Sequence, residues 1–120
     1  KGENMVTGVP FVASDPAPGV VDFIARVRAV HGPDTGVSHY VFAHYNALMA
    51  LKVAMERSGE ASAAGALAGL DGLTIQTATG PLTLDAGGYP TMPLFVATAE
   101  GGGQLQVVQK IDQIESDATC

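Results

Sequence analysis

The chain is 120 residues long, 47% hydrophobic and only 15% charged, a balance that supports a packed core and excludes the low-hydrophobicity, high-charge class of disordered chains. Twelve acidic side chains against six basic ones leave a net charge of -6, spread singly along the chain. This excludes nucleic acid and anionic lipid as partners, since both require a basic face.

The single cysteine, Cys120, rules out an internal disulfide and any zinc site built from several cysteines, and it says nothing about redox compartment. Lys1-Gly2-Glu3-Asn4 carries neither an initiator Met nor an apolar signal segment, and a hydrophobic strand from Met5 to Phe11 follows at once. The chain therefore reads as a fragment that starts in mid-domain.

In Ser14-Asp15-Pro16-Ala17-Pro18-Gly19 a cap and a proline suited to a first helical turn precede Val20, Phe23, Ile24, Val27 and Val30 at helical spacing. A helix near Val20 to Val30 with one buried face is expected. Arg26, Arg28 and His31 favour its negative end, and Gly32-Pro33 stops it. Ser38 then caps a long helix running to Arg57-Ser58 before Gly59. Val41, Phe42, Tyr45, Leu48, Met49, Leu51, Val53 and Met55 surround much of that cylinder, which predicts burial on more than one side. The stretch from Tyr40 to Met55 is interrupted by His44, Asn46 and Lys52 and falls short of the roughly 20 apolar residues a bilayer requires.

A short third helix is expected over Ala63 to Leu70, weakened by Gly65 and Gly69 at roughly 0.5 to 1 kcal/mol each relative to Ala, and held by docking of Leu67 and Leu70. Beyond Gly72, Leu73 to Thr77 and Pro81 to Leu84 alternate as strands, and Asp85 before Ala86-Gly87-Gly88 makes a turn. Met92 to Thr98 and Gln104 to Gln109 form a hairpin across Glu100-Gly101-Gly102-Gly103. The segment from Lys110 to Cys120 is polar and loses periodicity.

Chemistry-bearing patterns are sparse. His39 and His44 are five residues apart, about 140° around a helix, so they do not share the face that metal ligands on one helix need. The glycine run at 101–103 leads into a strand, whereas a phosphate loop must lead into a helix N-terminus. With no Gly-x-Ser-x-Gly elbow and no Cys-His pair, no catalytic residue, cofactor or metal is expected, and the chain does not read as an enzyme.

The helix Tyr40-Val41-Phe42-Ala43-His44-Tyr45-Asn46-Ala47-Leu48-Met49-Ala50-Leu51, the small helix after it, the strand Thr77-Ala78-Thr79-Gly80-Pro81-Leu82-Thr83-Leu84-Asp85 and the final hairpin stand in a specific order. That order resembles the C-terminal third of type I periplasmic solute-binding proteins of ABC importers, the branched-chain amino acid, amide and urea receptors. Ala86-Gly87-Gly88-Tyr89 is more glycine-rich than in many of them. The resemblance implies an α/β fold, three helices followed by a β-hairpin region, forming part of one lobe of a two-lobed receptor. Residues 1–109 would belong to the lobe and 110–120 would form a crossover or tail. It further implies an extracytoplasmic, periplasmic protein that closes on a small polar ligand and presents it to membrane permease subunits.

Most ligand contacts in such receptors come from the earlier two thirds, so amino acid, amide and urea all stay open. By the same resemblance Tyr45 contacts the ligand, and from the residues alone it serves equally as a core aromatic. Tyr40 and Phe42, which precede it, could share the cleft rim, but for them the core reading is favoured. Two other roles compete: the ligand sensor of an amide-responsive regulator, and a self-associating helical interaction module. Outside its parent the chain is expected to self-associate through the exposed apolar surface of the long helix.

Overall fold

Eight elements follow one another in the computed structural model, which describes residues 5–100, 102 and 104–114. They are β1 (Val6–Val9), α1 (Pro18–His31), α2 (His39–Ser58), α3 (Ala63–Leu70), β2 (Thr74–Thr77), β3 (Gly80–Leu84), β4 (Pro90–Ala99) and β5 (Leu105–Ile114). The expected α/β class and the three helices ahead of the closing hairpin are both present. Lys1 to Asn4, Gly101, Gly103 and Cys120 lie outside the described residues.

Pro18 opens α1 with its φ already helical, and Ala17 takes the cap position without a side-chain bond. Asp15, expected as part of a cap, instead accepts the Ala17 N–H at 3.1 Å and shapes the turn ahead of the helix. Gly32, at φ 101°, ends α1 by donating to the Arg28 carbonyl at 2.9 Å. The α2 helix begins at Ser38, whose hydroxyl accepts from Val41 N–H, and ends at Gly59 in the left-handed region.

Only one stripe of α2 is fully buried, namely Phe42, Asn46, Ala50 and Ala54 at four-residue spacing. Leu48 and Leu51 are exposed, contrary to the expectation of burial on more than one side. Beside that stripe Met49 and Val53 are partly buried against the cluster that holds Leu73 and Ile75, and Tyr45 meets Phe23 of α1, while the face carrying Leu48 stands open to solvent. Docking of α3 follows expectation at Leu70, which packs against the cluster of Ala50, Ala54, Leu73 and Ile75, and differs at Leu67, which points to solvent while Gly65, Ala66 and Gly69 are buried. A Cβ at Gly69 would fall 2.0 Å from the Ala54 carbonyl oxygen, so glycine is what lets α3 approach α2.

All strand pairings are antiparallel, in the order β1-β4-β3-β2 with β5 on the opposite side of β4. The β4 strand joins two groups: its first residues, Pro90 and Thr91, pair β3, and Phe95 to Thr98 pair β1. The β5 strand continues past Gln109, pairing Lys110 with Phe95, Ile111 with Leu94 and Ile114 with Met92. Register shifts between Met92 and Leu94 and between Val96 and Ala97 break strict alternation. That irregularity, together with a mostly exposed face, is why residues 110–114 show no period in sequence.

Three buried clusters result among the described residues. Phe11, Phe23 and Phe42 pack together, with Phe11 stacked on Phe42 at 5.0 Å and both meeting Phe23 edge-on at 5.8 and 5.9 Å. Val9, Val12, Phe95 and Ala97 form a second cluster beneath β5, and Ala50, Ala54, Leu73 and Ile75 a third between α2 and β2. The adjacent residues Phe11 and Val12 enter different clusters, so the segment after Pro10 stitches the helical layer to the β1-β4-β5 group.

Candidate functional site

Two concavities flank α2. The first is a groove of about 440 Å³ between α2 and the β3–β4 face, walled by Phe42, Ala43, Asn46, Ala47, Ala50 and Leu51 on the helix and by Leu82, Leu84, Pro90 and Met92 on the strands. Alanines at positions 43, 47 and 50 leave it open. Asn46 is 5% exposed and its Nδ2 has no hydrogen-bond partner among the described residues, an arrangement that costs free energy unless an acceptor is supplied.

The second concavity, about 470 Å³, lies at the N-terminal end of α2 and is more polar. Ser14, Arg28, Ser38, His39 and Gln104 rim it over a floor that includes Phe11 and Val12. Arg28 Nε donates to the Thr35 carbonyl at 3.3 Å, and the Ser14 hydroxyl donates to the Leu105 carbonyl. These bonds fix the recess between the α1–α2 loop and the start of β5.

Tyr45 lines neither concavity. Its ring meets Phe23 edge-on at 5.2 Å, and Arg26 Nη1 donates to its hydroxyl at a long 3.4 Å, while Arg26 Nε pairs with Asp22 at 3.0 Å. The residue is 37% exposed at the α1–α2 seam, neither buried core nor free surface. Phe42 is core. Tyr40 is 66% exposed and lies against His39 at 4.1 Å.

The remaining chemistry-bearing residues have structural roles. His44 Nδ1 sits 2.8 Å from the Tyr40 carbonyl, and Asp85 Oδ1 accepts from the Gly87 and Tyr89 N–H groups at 2.8 Å, closing the turn before β4. Gly102, at φ 90°, lies in the β4–β5 turn, which Glu100 N–H closes onto the Gln104 carbonyl at 2.8 Å. Among the described residues no three His, Cys, Asp or Glu side chains gather as a metal site, and no helix is long and apolar enough to cross a membrane. Sequence reasoning missed the groove. Its only sign was the spacing of Ala43, Ala47 and Ala50 around a lone Asn46.

No family model and no curated protein matches the chain. Solved structures do. An ABC-transporter solute-binding protein from R. palustris in complex with benzoate is 15% identical, with a TM-score of 0.79 over 98% of this chain and 32% of its own. A second, from Rhodopseudomonas palustris BisB5 with 3,4-dihydroxybenzoic acid, is 18% identical with a TM-score of 0.78 over 95% of this chain and 32% of its own. A leucine-, isoleucine-, valine-, threonine- and alanine-binding protein from Brucella ovis is 13% identical, with a TM-score of 0.66 and the same shares covered. The chain thus spans about a third of the length of these proteins, and the fold it shares with them serves receptors crystallised with benzoates as well as one named for amino acids. The described residues are folded as part of a lobe of the periplasmic-binding-protein architecture, the fold of the solute-binding proteins of ABC transporters.

Proposed function

We propose that the chain is the C-terminal third of an extracytoplasmic solute-binding receptor that closes two lobes around a small organic molecule and delivers it to the permease subunits of an ABC importer. One observation carries the reading: 98% of the chain is matched, with a TM-score of 0.79, by 32% of a solute-binding protein. In this reading the chain binds and does not catalyse. Ligand contacts both lobes only when they are closed, and its differential affinity for that state drives closure.

The ligand class is a small molecule bearing a carboxylate. Benzoates and amino acids, carried by the proteins of like fold, share that group, whereas urea and simple amides lack it. Within this reading Tyr45 remains the proposed ligand contact on this chain. Its hydroxyl and the neighbouring Arg26 guanidinium offer two donors to a carboxylate, both reachable from solvent.

The test is calorimetric titration of the receptor-length protein, encoded by the complete reading frame, with benzoate, 4-hydroxybenzoate, leucine and urea. Saturable binding of a carboxylate, with a melting temperature that rises with its concentration, is the expected result. Binding of urea alone would move the ligand to the amide and urea class. Binding of none, together with turnover of any of them, would remove the receptor reading.

A further inference from the structure

We propose that the polar recess between the α1–α2 loop and the start of β5 binds a small organic carboxylate with an apolar body, its carboxylate accepting from the Nη groups of Arg28 and its hydrocarbon lying over Phe11 and Val12. The recess is lined by this chain alone and Tyr45 is not among its walls, so the site stands or falls apart from the receptor reading.

Charge is the first observation. Arg28 lines the recess, and its Nε donates to the Thr35 carbonyl at 3.3 Å. Thr35 is itself tied to the end of α1, its hydroxyl donating to the His31 carbonyl at 2.9 Å and its N–H to the Gly32 carbonyl at 3.2 Å, so the guanidinium is held in place before any ligand arrives. Its Nη groups donate to no described residue, and among the described residues no carboxylate pairs with it. None of the residues lining the recess is acidic, although the chain carries twelve Asp and Glu. A restrained cation with no local counter-charge attracts an anion, and the planar fork of a guanidinium matches a carboxylate through two parallel hydrogen bonds.

The floor is the second observation. Phe11 and Val12 are each 2% exposed, so the recess ends on packed hydrocarbon, while Ser14, His39 and Gln104 stand at its rim. Its volume of about 470 Å³ falls in the range of small-molecule sites. An apolar body gains by leaving water over such a floor, whereas a phosphate ion, hydrated on every side, gains nothing there. Selection therefore demands a carboxylate and a hydrocarbon in one molecule.

Four probes separate the two demands. The isotope-labelled 120-residue chain is titrated at a dilution where light scattering shows monomer, following the amides of Gly36, His39 and Gln104 and the Arg28 Nε–H by nuclear magnetic resonance. Cyclohexanecarboxylate should shift these signals saturably. It should bind at least tenfold more tightly than neutral cyclohexanecarboxamide, than acetate, which has no apolar body, and than inorganic phosphate. Equal affinity for the amide would remove the pairing with Arg28, and equal affinity for acetate or phosphate would remove the role of the floor. Either result overturns the proposal, as does the absence of saturable shifts.

Two substitutions supply the second measurement. Arg28→Gln should weaken cyclohexanecarboxylate at least tenfold. Gln104→Glu leaves Arg28 and its bond to Thr35 in place and puts a negative charge at the exposed rim, so it should weaken the carboxylate severalfold and leave the neutral amide unaffected. Unchanged carboxylate affinity in Gln104→Glu, with the rest of its spectrum unshifted, would overturn the proposal even if Arg28→Gln failed to fold.

Discussion

Tyr45 illustrates how one side chain divides between packing and recognition. Its ring edge against Phe23 supports the α1–α2 seam, and its hydroxyl is free enough to serve a ligand, because the bond from Arg26 is long and exposed. Tyr45→Phe should leave the unliganded melting temperature of the receptor-length protein nearly unchanged while weakening ligand binding by about 0.5 to 1.5 kcal/mol, or more if the acceptor is charged. Tyr45→Ala should cost about 1 to 3 kcal/mol of stability, less than the roughly 3 to 5 of a fully buried aromatic, because the ring is partly exposed to begin with. Calorimetric titration paired with thermal unfolding measures both. Normal affinity in Tyr45→Phe would remove Tyr45 from the site. The sequence located Tyr45 on an apolar helix but did not reveal which face it occupied, since rings at positions 40, 42 and 45 all fit the same pattern and only Phe42 is buried.

Among the elements, α3 is where intrinsic propensity and packing disagree. Its bounds are legible from the Ser62 cap and the apolar run, and its glycines look like weaknesses when the helix is taken alone. Against α2 they are the contact surface. Gly69→Ala, which favours an isolated helix, should therefore lower the stability of the chain by about 1 to 3 kcal/mol through overpacking against Ala54. Chemical denaturation of the 120-residue chain would show it, and a stabilised variant would mean that α3 does not sit against α2 as described. Helix bounds were readable because caps, proline and glycine mark them locally. The full length of β5 was not, because pairing with β4 is held by backbone bonds and the shifts of register scramble the side-chain period beyond Gln109. The groove was unreadable for a related reason: small residues on a helix face mean close packing or an empty seat, and only the surrounding strands tell which.

At the level of the whole molecule, the 120-residue chain leaves Leu48, Leu51 and the groove uncovered. It should self-associate at high concentration, and light scattering should report a mass that rises with concentration. A strict monomer with a cooperative melt would make it a complete domain. The place of β4 between partners of very different sequence distance also orders events in time. Its neighbours β3 and β5 are joined to it by short turns, whereas β1 reaches it, with Val6 beside Thr98, only after the whole helical layer has been spanned. Closing so long a loop carries the larger entropic cost, so the local hairpins zip first and β1 docks last. Until it does, the edge of β4 from Phe95 to Thr98 stands open to any other strand in reach. The newly made chain is then most prone to aggregate at a site that the finished fold hides, and pulsed hydrogen exchange should find the β1–β4 amides protected after those of β2–β3.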